Sequence, residues 1–193
     1  MPSLYMPWEA IMSNPMTVKD MAYRLAAATG QSETLHARQV RHWAQHGLFG
    51  FEALERSGEG RTASYFYNDR HLAAARLYAL FTAMGWNIDQ LGKVSRLIKN
   101  IGADDAPQVQ HDGFVQIERN GLKAVVDAAK AGDFDWCFGV YSDETGAVYG
   151  GSMMRDPASG YPNLLHNLAP VFTVIALGPL FRRLFASDTG SEA

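Results

Sequence analysis

The chain has 193 residues, 47% of them hydrophobic and 19% charged, a composition typical of one or two compact domains. Its one cysteine, Cys137, excludes an intramolecular disulfide and a metal site built from several thiolates. The longest apolar run, residues 171–181, contains a glycine and a proline and is shorter than the roughly 20 residues of a membrane span. We see no signal-peptide pattern, and therefore expect a cytoplasmic protein with no membrane partner.

The formal net charge of −3 is unevenly distributed along the chain. Residues 16–100 contain 11 Lys and Arg against 7 Asp and Glu, whereas residues 101–193 contain 6 against 12. A basic half joined to an acidic half is typical of a two-part DNA-binding regulator, although an imbalance of this size is also ordinary scatter. If DNA is bound, the acidic half should repel it, so the basic half must dock.

The sequence predicts an α+β fold with two units. A poorly ordered tail over residues 1–15 precedes a mostly helical domain with a two-stranded wing, over residues 16–100. A polar linker over residues 101–112 leads to a small α+β module over residues 113–187 and a tail over residues 188–193.

Two helices are predicted at the start of the first domain. Thr17 and Asp20 have the spacing of a capping box, an apolar stripe at helical period follows, and Gly30 is the expected end. Ser32 or Thr34 is the expected N-cap of the second helix.

The second helix has two unlike faces and is expected to end at Gly47. Its inward face is apolar and consists of Val40, Trp43 and Ala44. Its outward face is basic and polar, made of Arg38, His42 and Gln45 and flanked by Arg41 and His46. No acidic residue lies between residues 34 and 48, and such a face suits the major groove, whose walls are lined by phosphates.

A wing is predicted over residues 49–67, as two short strands around the glycine-rich turn of residues 57–60. Arg61, Tyr65 and Tyr67 lie just after that turn.

Two further helices are predicted after the wing. The first starts at Asp69 and stops at Gly85, and the second starts with a capping-box pair, Asn87 and Gln90.

The second unit is predicted to contain a helix ending near Gly132 and a hairpin that turns at residues 142–146. A buried strand at residues 171–177 and a short helix from Pro179 complete it.

Three segments of the first unit, in this order and at this spacing, resemble the winged helix-turn-helix of the MerR family of bacterial transcription regulators. They are Arg41-His42-Trp43 with Gly47-Leu48, the wing end Tyr67-Asn68-Asp69, and Gly85-Trp86-Asn87-Ile88. The resemblance covers roughly residues 16–100, less than half of the chain.

The resemblance implies that the partner is double-stranded DNA. It implies phosphate contacts for Arg41, Arg61 and Tyr67. The residues that it places against base edges are Arg38, Gln39, His42 and Gln45. The chemistry agrees, because Arg pairs bidentately with guanine and Gln with adenine in the major groove. Trp43 and Leu48 are expected in the core.

The chain departs from the family pattern in three places. The segment before Arg41 is longer than usual, and Tyr65 stands where an arginine is common. The family's long dimerisation helix and its cysteine-bearing metal loop are absent, so thiol-based metal sensing is not expected.

The sequence gives less support for a metal site, a redox switch or an enzyme. His42 and His46 are spaced for chelation on one helix face, but no acid or cysteine is nearby in sequence to complete a site, and we predict no metal. Cys137, between two aromatic residues on a predicted strand, is interpreted as a small buried residue rather than a redox switch. Nucleophile-elbow, P-loop and dinucleotide-binding motifs are missing, so we expect neither an enzyme nor a cofactor.

The leading hypothesis is a cytoplasmic bacterial regulator that binds specific DNA as a homodimer, with RNA polymerase and a small-molecule effector of unidentified class as further partners. One alternative is an architectural or recombination accessory protein that bends DNA. Another is a module that binds proteins or senses small molecules and has no affinity for DNA.

Overall fold

The computed structural model describes residues 15–50, 55–57, 64–100, 110–111, 114–115, 121–155 and 171–185. These residues form a mixed helix-and-sheet structure, which is compatible with the predicted α+β class. The described residues leave out nearly all of the predicted tails, most of the predicted linker, the wing turn and Arg61.

The first half of the chain is mostly helical. Its elements are α1 (Val18–Thr29), α2 (Glu33–Gln45), β1 (Glu55–Ser57), β2 (Ser64–Phe66), α3 (Asp69–Ala83) and α4 (Ile88–Asn100). The second half alternates strands and helices. Its elements are β3 (Gln110–His111), β4 (Phe114–Val115), α5 (Gly121–Lys130), β5 (Trp136–Ser142), β6 (Val148–Arg155), β7 (Val171–Ala176) and α6 (Leu177–Phe185).

The predicted capping signals set the helix ends. The carboxylate of Asp20 accepts from the backbone N–H of Thr17 at 2.8 Å, and the Thr17 hydroxyl accepts from the N–H of Asp20 at 3.3 Å, which confirms the capping box. Gly30 ends α1 with a left-handed φ of 76°, which a residue without a Cβ adopts at little cost. Ser32, rather than Thr34, caps α2.

A three-stranded antiparallel sheet, in the order β6-β5-β7, forms the centre of the second half. All residues of the central strand β5 except Tyr141 are buried, because α6 also packs against this strand. Cys137 is among the buried residues, as predicted.

Helix α3 is the element around which both halves pack. Ten of its fifteen residues are buried, on nearly every side, whereas the sequence pattern predicts a single apolar stripe. The difference arises because α3 contacts α1 and α4 from the first half and α5 and α6 from the second half.

The described parts of both predicted units therefore share one hydrophobic cluster. The rings of Phe81 in α3 and Phe138 in β5 lie edge to face, with centroids 6.4 Å apart, and so join the helical half to the sheet. Leu97 of α4 approaches β6, since a Cβ built on Gly151 would lie 3.0 Å from its Cδ1.

Candidate nucleic-acid interface

Helix α2 exposes the face that the sequence predicts for it. Arg38, Arg41, His42 and Gln45 are all exposed, and His46 extends this face beyond the last turn. None of the ion pairs among the described residues involves Arg38 or Arg41. The face therefore carries positive charge that no acidic side chain in the described part of the molecule neutralises through an ion pair.

The opposite face of α2 is anchored in the core. Val40 and Trp43 are buried, and the Trp43 ring lies edge to face with that of Tyr78 in α3, at 5.7 Å between centroids. The carbonyl oxygen of Leu48 accepts two hydrogen bonds, from the Tyr78 hydroxyl at 2.8 Å and from the Ser95 hydroxyl at 2.7 Å. The predicted core positions of Trp43 and Leu48 are confirmed, and the turn after α2 is held by both α3 and α4.

Gln39 is placed differently from the other predicted base-contacting residues. It is half-buried, and its Oε1 accepts from Nδ1 of His36 over 2.9 Å. Nε2 of His36 in turn lies 2.7 Å from the hydroxyl of Thr29, which also reaches the carbonyl of Leu25 at 2.8 Å. A base contact by Gln39 would have to compete with this bond inside the protein.

Sequence reasoning missed the role of His36. The side chain is fully buried, and this burial lowers the pKa of His36, while the hydrogen bond to Gln39 raises it and the positive charge of Arg76 lowers it. The signal for its position is available in the sequence, because residue 36 precedes Val40 by four and Trp43 by seven and so lies on the same face of a helix.

The two strands after α2 form an antiparallel pair in which Arg56 lies opposite Tyr65. Beyond β2, the backbones of Tyr67 and Met16 exchange two hydrogen bonds of 2.8 Å, which ties the end of the pair to the residue just before Thr17. The part of the predicted wing that the structure describes therefore runs from this pair directly into α3.

Tyr67 is buried rather than presented to solvent. Only 3% of its surface is exposed, and its ring contacts those of Phe49 and His71 at centroid distances of 5.4 and 5.8 Å. A phosphate contact by Tyr67 would have to use that small remaining surface, whereas its neighbour Tyr65 is 49% exposed. The surface aromatic residue of this strand is thus the one that sequence reasoning treated only as a departure from the family.

Arg41 and the wing end lie close enough to interact electrostatically. Burial raises the pKa of Tyr67, the neighbouring phenol of Tyr65 raises it further, and the positive charge of Arg41 opposes both effects. The charge of Arg41 in α2 therefore acts on the buried Tyr67, just beyond the strand pair.

The imidazoles of His42 and His46 form an edge-to-face pair with centroids 4.5 Å apart on the exposed side of α2. In the ranges that the structure describes, no three His, Cys, Asp or Glu side chains are grouped so as to hold a metal ion.

The start of α3, at the exit of the wing, is fixed by its side chains. The amide oxygen of Asn68 accepts from the backbone N–H groups of Arg70 and His71 at 3.0 and 3.1 Å. Asp69 is buried and forms ion pairs with Arg24 of α1, at 3.6 Å, and with Lys130 of α5, at 2.6 Å. This carboxylate connects three helices, two from the first half of the chain and one from the second.

A scan against protein-family models and a search of curated proteins found no match for this chain. Within the described residues, no helix has the length and apolar character needed to cross a membrane.

Proposed function

We propose that this protein binds double-stranded DNA in a sequence-specific manner, as a MerR-like transcription regulator. In this proposal α1 and α2 form the helix-turn-helix, β1 and β2 form the wing, and α2 enters the major groove. The observation that carries the proposal is the exposed face of α2, where Arg38, Arg41, His42 and Gln45 stand together without an acidic side chain.

The exposed residues are assigned two different tasks. Arg38, His42 and Gln45 contact base edges, because arginine and glutamine match the donors and acceptors of the major groove. Arg41, whose charge acts on Tyr67 at the wing end, contacts the phosphate backbone, and Tyr65 is the exposed aromatic residue of the wing. Gln39 supports α2 through His36 instead of contacting a base.

A single small DNA-binding unit buries little surface, so a homodimer on two half-sites is the arrangement that gives useful affinity. The second half of the chain would supply the dimer contact, an effector site or both. By analogy with the family, the protein acts in the bacterial cytoplasm with RNA polymerase by reshaping promoter DNA, and it is neither an enzyme nor dependent on a cofactor.

Selection from a randomised duplex pool, followed by a salt titration of the best sequence, tests this function. An enriched inverted repeat, with an affinity that falls steeply as salt rises, is the expected result. No enrichment, together with an affinity for the pool that salt does not change, would contradict it and favour a module that binds proteins or small molecules. Enrichment of bent or flexible sequences without a consensus would favour the architectural alternative.

A further inference from the structure

Leu35, in the first turn of α2, is an apolar side chain on the exposed side of this helix. It is 38% exposed, whereas Val40 and Trp43, the apolar residues of the inward face, are buried. The backbone N–H of Leu35 donates to the hydroxyl of the N-cap residue Ser32 at 3.3 Å, which ties it to the capped end of the helix. Leu35 therefore has a fixed place close to the N-terminus of α2.

The neighbours of Leu35 on the surface of α2 belong to the face proposed for DNA. Arg38 follows Leu35 by three positions and His42 follows it by seven, and residues at these spacings lie on one side of an α-helix. Both of these side chains are exposed. Gln39, four positions after Leu35, is half-buried and directs its Oε1 to His36. Leu35 is therefore an apolar position within a basic and polar face.

An exposed leucine at this place matches one chemical feature of the major groove. Of the four bases, thymine is the one that presents a methyl group there. A recognition helix contacts base edges with its N-terminal residues, and Leu35 is the third residue of α2. Phosphate oxygens and the hydrogen-bonding edges of the bases offer nothing that a leucine side chain can pair with, whereas contact with a methyl group removes apolar surface of both partners from water.

We propose that Leu35 contacts the methyl group of one thymine in each half-site and thereby contributes to the choice of DNA sequence. The inference rests on the proposed function, because it adds a specificity-determining residue to the same surface. Next to the hydrogen bonds of Arg38, it assigns one base pair of the half-site to an apolar contact. The contribution of one methyl group is about fourfold in affinity, smaller than that of a good bidentate arginine–guanine pair.

The test replaces single thymines of the duplex enriched by selection with uracil, which pairs in the same way but lacks the methyl group. Fluorescence anisotropy at fixed ionic strength measures the affinity of the full chain and of Leu35→Ala for each duplex. For the unmodified chain we expect one thymine per half-site whose replacement lowers the affinity about fourfold. Leu35→Ala should bind the thymine and uracil duplexes equally at this position, because the apolar contact is absent in both.

Further variants separate the contact from an effect on folding. Leu35→Ala should keep α2 intact, because alanine has the highest helix propensity. Leu35→Met keeps an apolar side chain of similar volume and should retain the preference for thymine. Val171→Ala is the matched control, since it shortens an aliphatic side chain of similar exposure, 43%, in β7 of the second half. It should retain both the affinity and the preference for thymine.

The possible results distinguish the thymine contact from the proposed function. If a sequence is bound specifically but uracil has no effect at any position, or has equal effects on the unmodified chain and on Leu35→Ala, the contact is wrong and the proposed function stands. If Leu35→Ala changes the oligomeric state without DNA, in sedimentation, and leaves the uracil effects unchanged, Leu35 belongs to a contact between copies of the chain and the proposal is overturned. Failure to enrich any sequence would contradict the proposed function, and the thymine contact with it.

Discussion

The ammonium group of Lys130, at the end of α5, donates to the carboxylate of Asp69, at the start of α3, over 2.6 Å. Asp69 directly follows Asn68, the N-cap at the wing exit, and its other oxygen faces Arg24 of α1. One buried carboxylate thus connects the proposed DNA-binding elements to the second half of the chain.

We expect Asp69→Asn to lower the free energy of unfolding by about 1 to 2 kcal/mol, since Lys130 is partly exposed and solvent screens part of the interaction. Urea denaturation gives the value. The control is Asp127→Asn, which breaks a pair with Lys123 of similar length, 2.7 Å, but exposed at both ends. That control should change stability by less than about 0.5 kcal/mol, and an equal effect of the two variants would contradict the structural role of Asp69.

The doubly accepted carbonyl of Leu48 should be sensitive to either of its donors. Tyr78→Phe and Ser95→Ala each remove one hydroxyl from a buried bond and should cost about 1 kcal/mol. The double variant leaves the buried carbonyl without these donors and should cost more than the sum of the two. Strict additivity in a double-mutant cycle would indicate that another group, such as water, takes their place.

Gly178 should tolerate no side chain. A Cβ at this position would lie 2.2 Å from the carbonyl oxygen of Phe134, so Gly178→Ala forces the backbone apart. We expect a loss of about 3 kcal/mol or more, by overpacking. Gly92 in α4 is the matched control, because a Cβ there meets nothing within 4 Å, and Gly92→Ala should stabilise the protein by about 0.5 to 1 kcal/mol through helix propensity. Thermal and urea unfolding would record these opposite signs.

The two arginines on the exposed face of α2 should respond differently to DNA sequence. Arg41→Ala should weaken binding to every duplex and reduce the salt slope by about 1, as expected of a phosphate contact. Arg38→Ala should cost about 1 to 3 kcal/mol on the preferred sequence and relax selectivity at one base pair. Arg96→Ala, on the exposed side of α4, controls for net charge. Equal losses on all sequences for both α2 variants would refute this division of roles.

His36 should make stability depend on pH. Burial lowers the pKa of His36 below its ordinary 6.5, so the unfolded chain binds the proton more readily than the folded one. The folding stability that depends on neutral His36 is therefore fully present above pH 6.5 and is lost as the pH falls below that value. Hydrogen bonds to Thr17 and Thr145 lower the pKa values of Asp20 and Asp143 from 3.8. Titration of these two carboxyl groups therefore changes the folding stability only at lower pH.

The measurement is the urea midpoint at pH 7.5 and at pH 5. We expect the unmodified chain to lose stability between these values and His36→Gln to lose less. The same pH dependence in both proteins would assign the effect to other groups.

Local signals in the sequence predict the helix ends of this protein well. Thr17, Ser32 and Asn87 act through bonds to residues within a few positions, and Gly30 and Gly85 adopt left-handed conformations where the helices stop. These features depend on short stretches of chain, which a sequence displays directly.

Contacts between distant segments are what the sequence does not reveal. Tyr67 stands two positions after the exposed Tyr65, and its burial depends on Phe49 and on a backbone pairing with Met16. The position of Gln39 on α2 predicts a contact with a base edge, but its side chain is half-buried and forms a hydrogen bond with His36. The ion pair of Asp69 and Lys130 joins residues 61 positions apart, which periodicity cannot predict.

The burial of α3 on nearly every side has a consequence for how the chain unfolds. Removing the second half would expose the flanks of α3, including Phe81, that now contact α5, α6 and the sheet. A fragment limited to residues 16–100 would therefore lose part of its own core, and the intact chain should melt in one cooperative transition instead of two. Any signal that loosens the sheet would then reach α2 through a shared folding equilibrium.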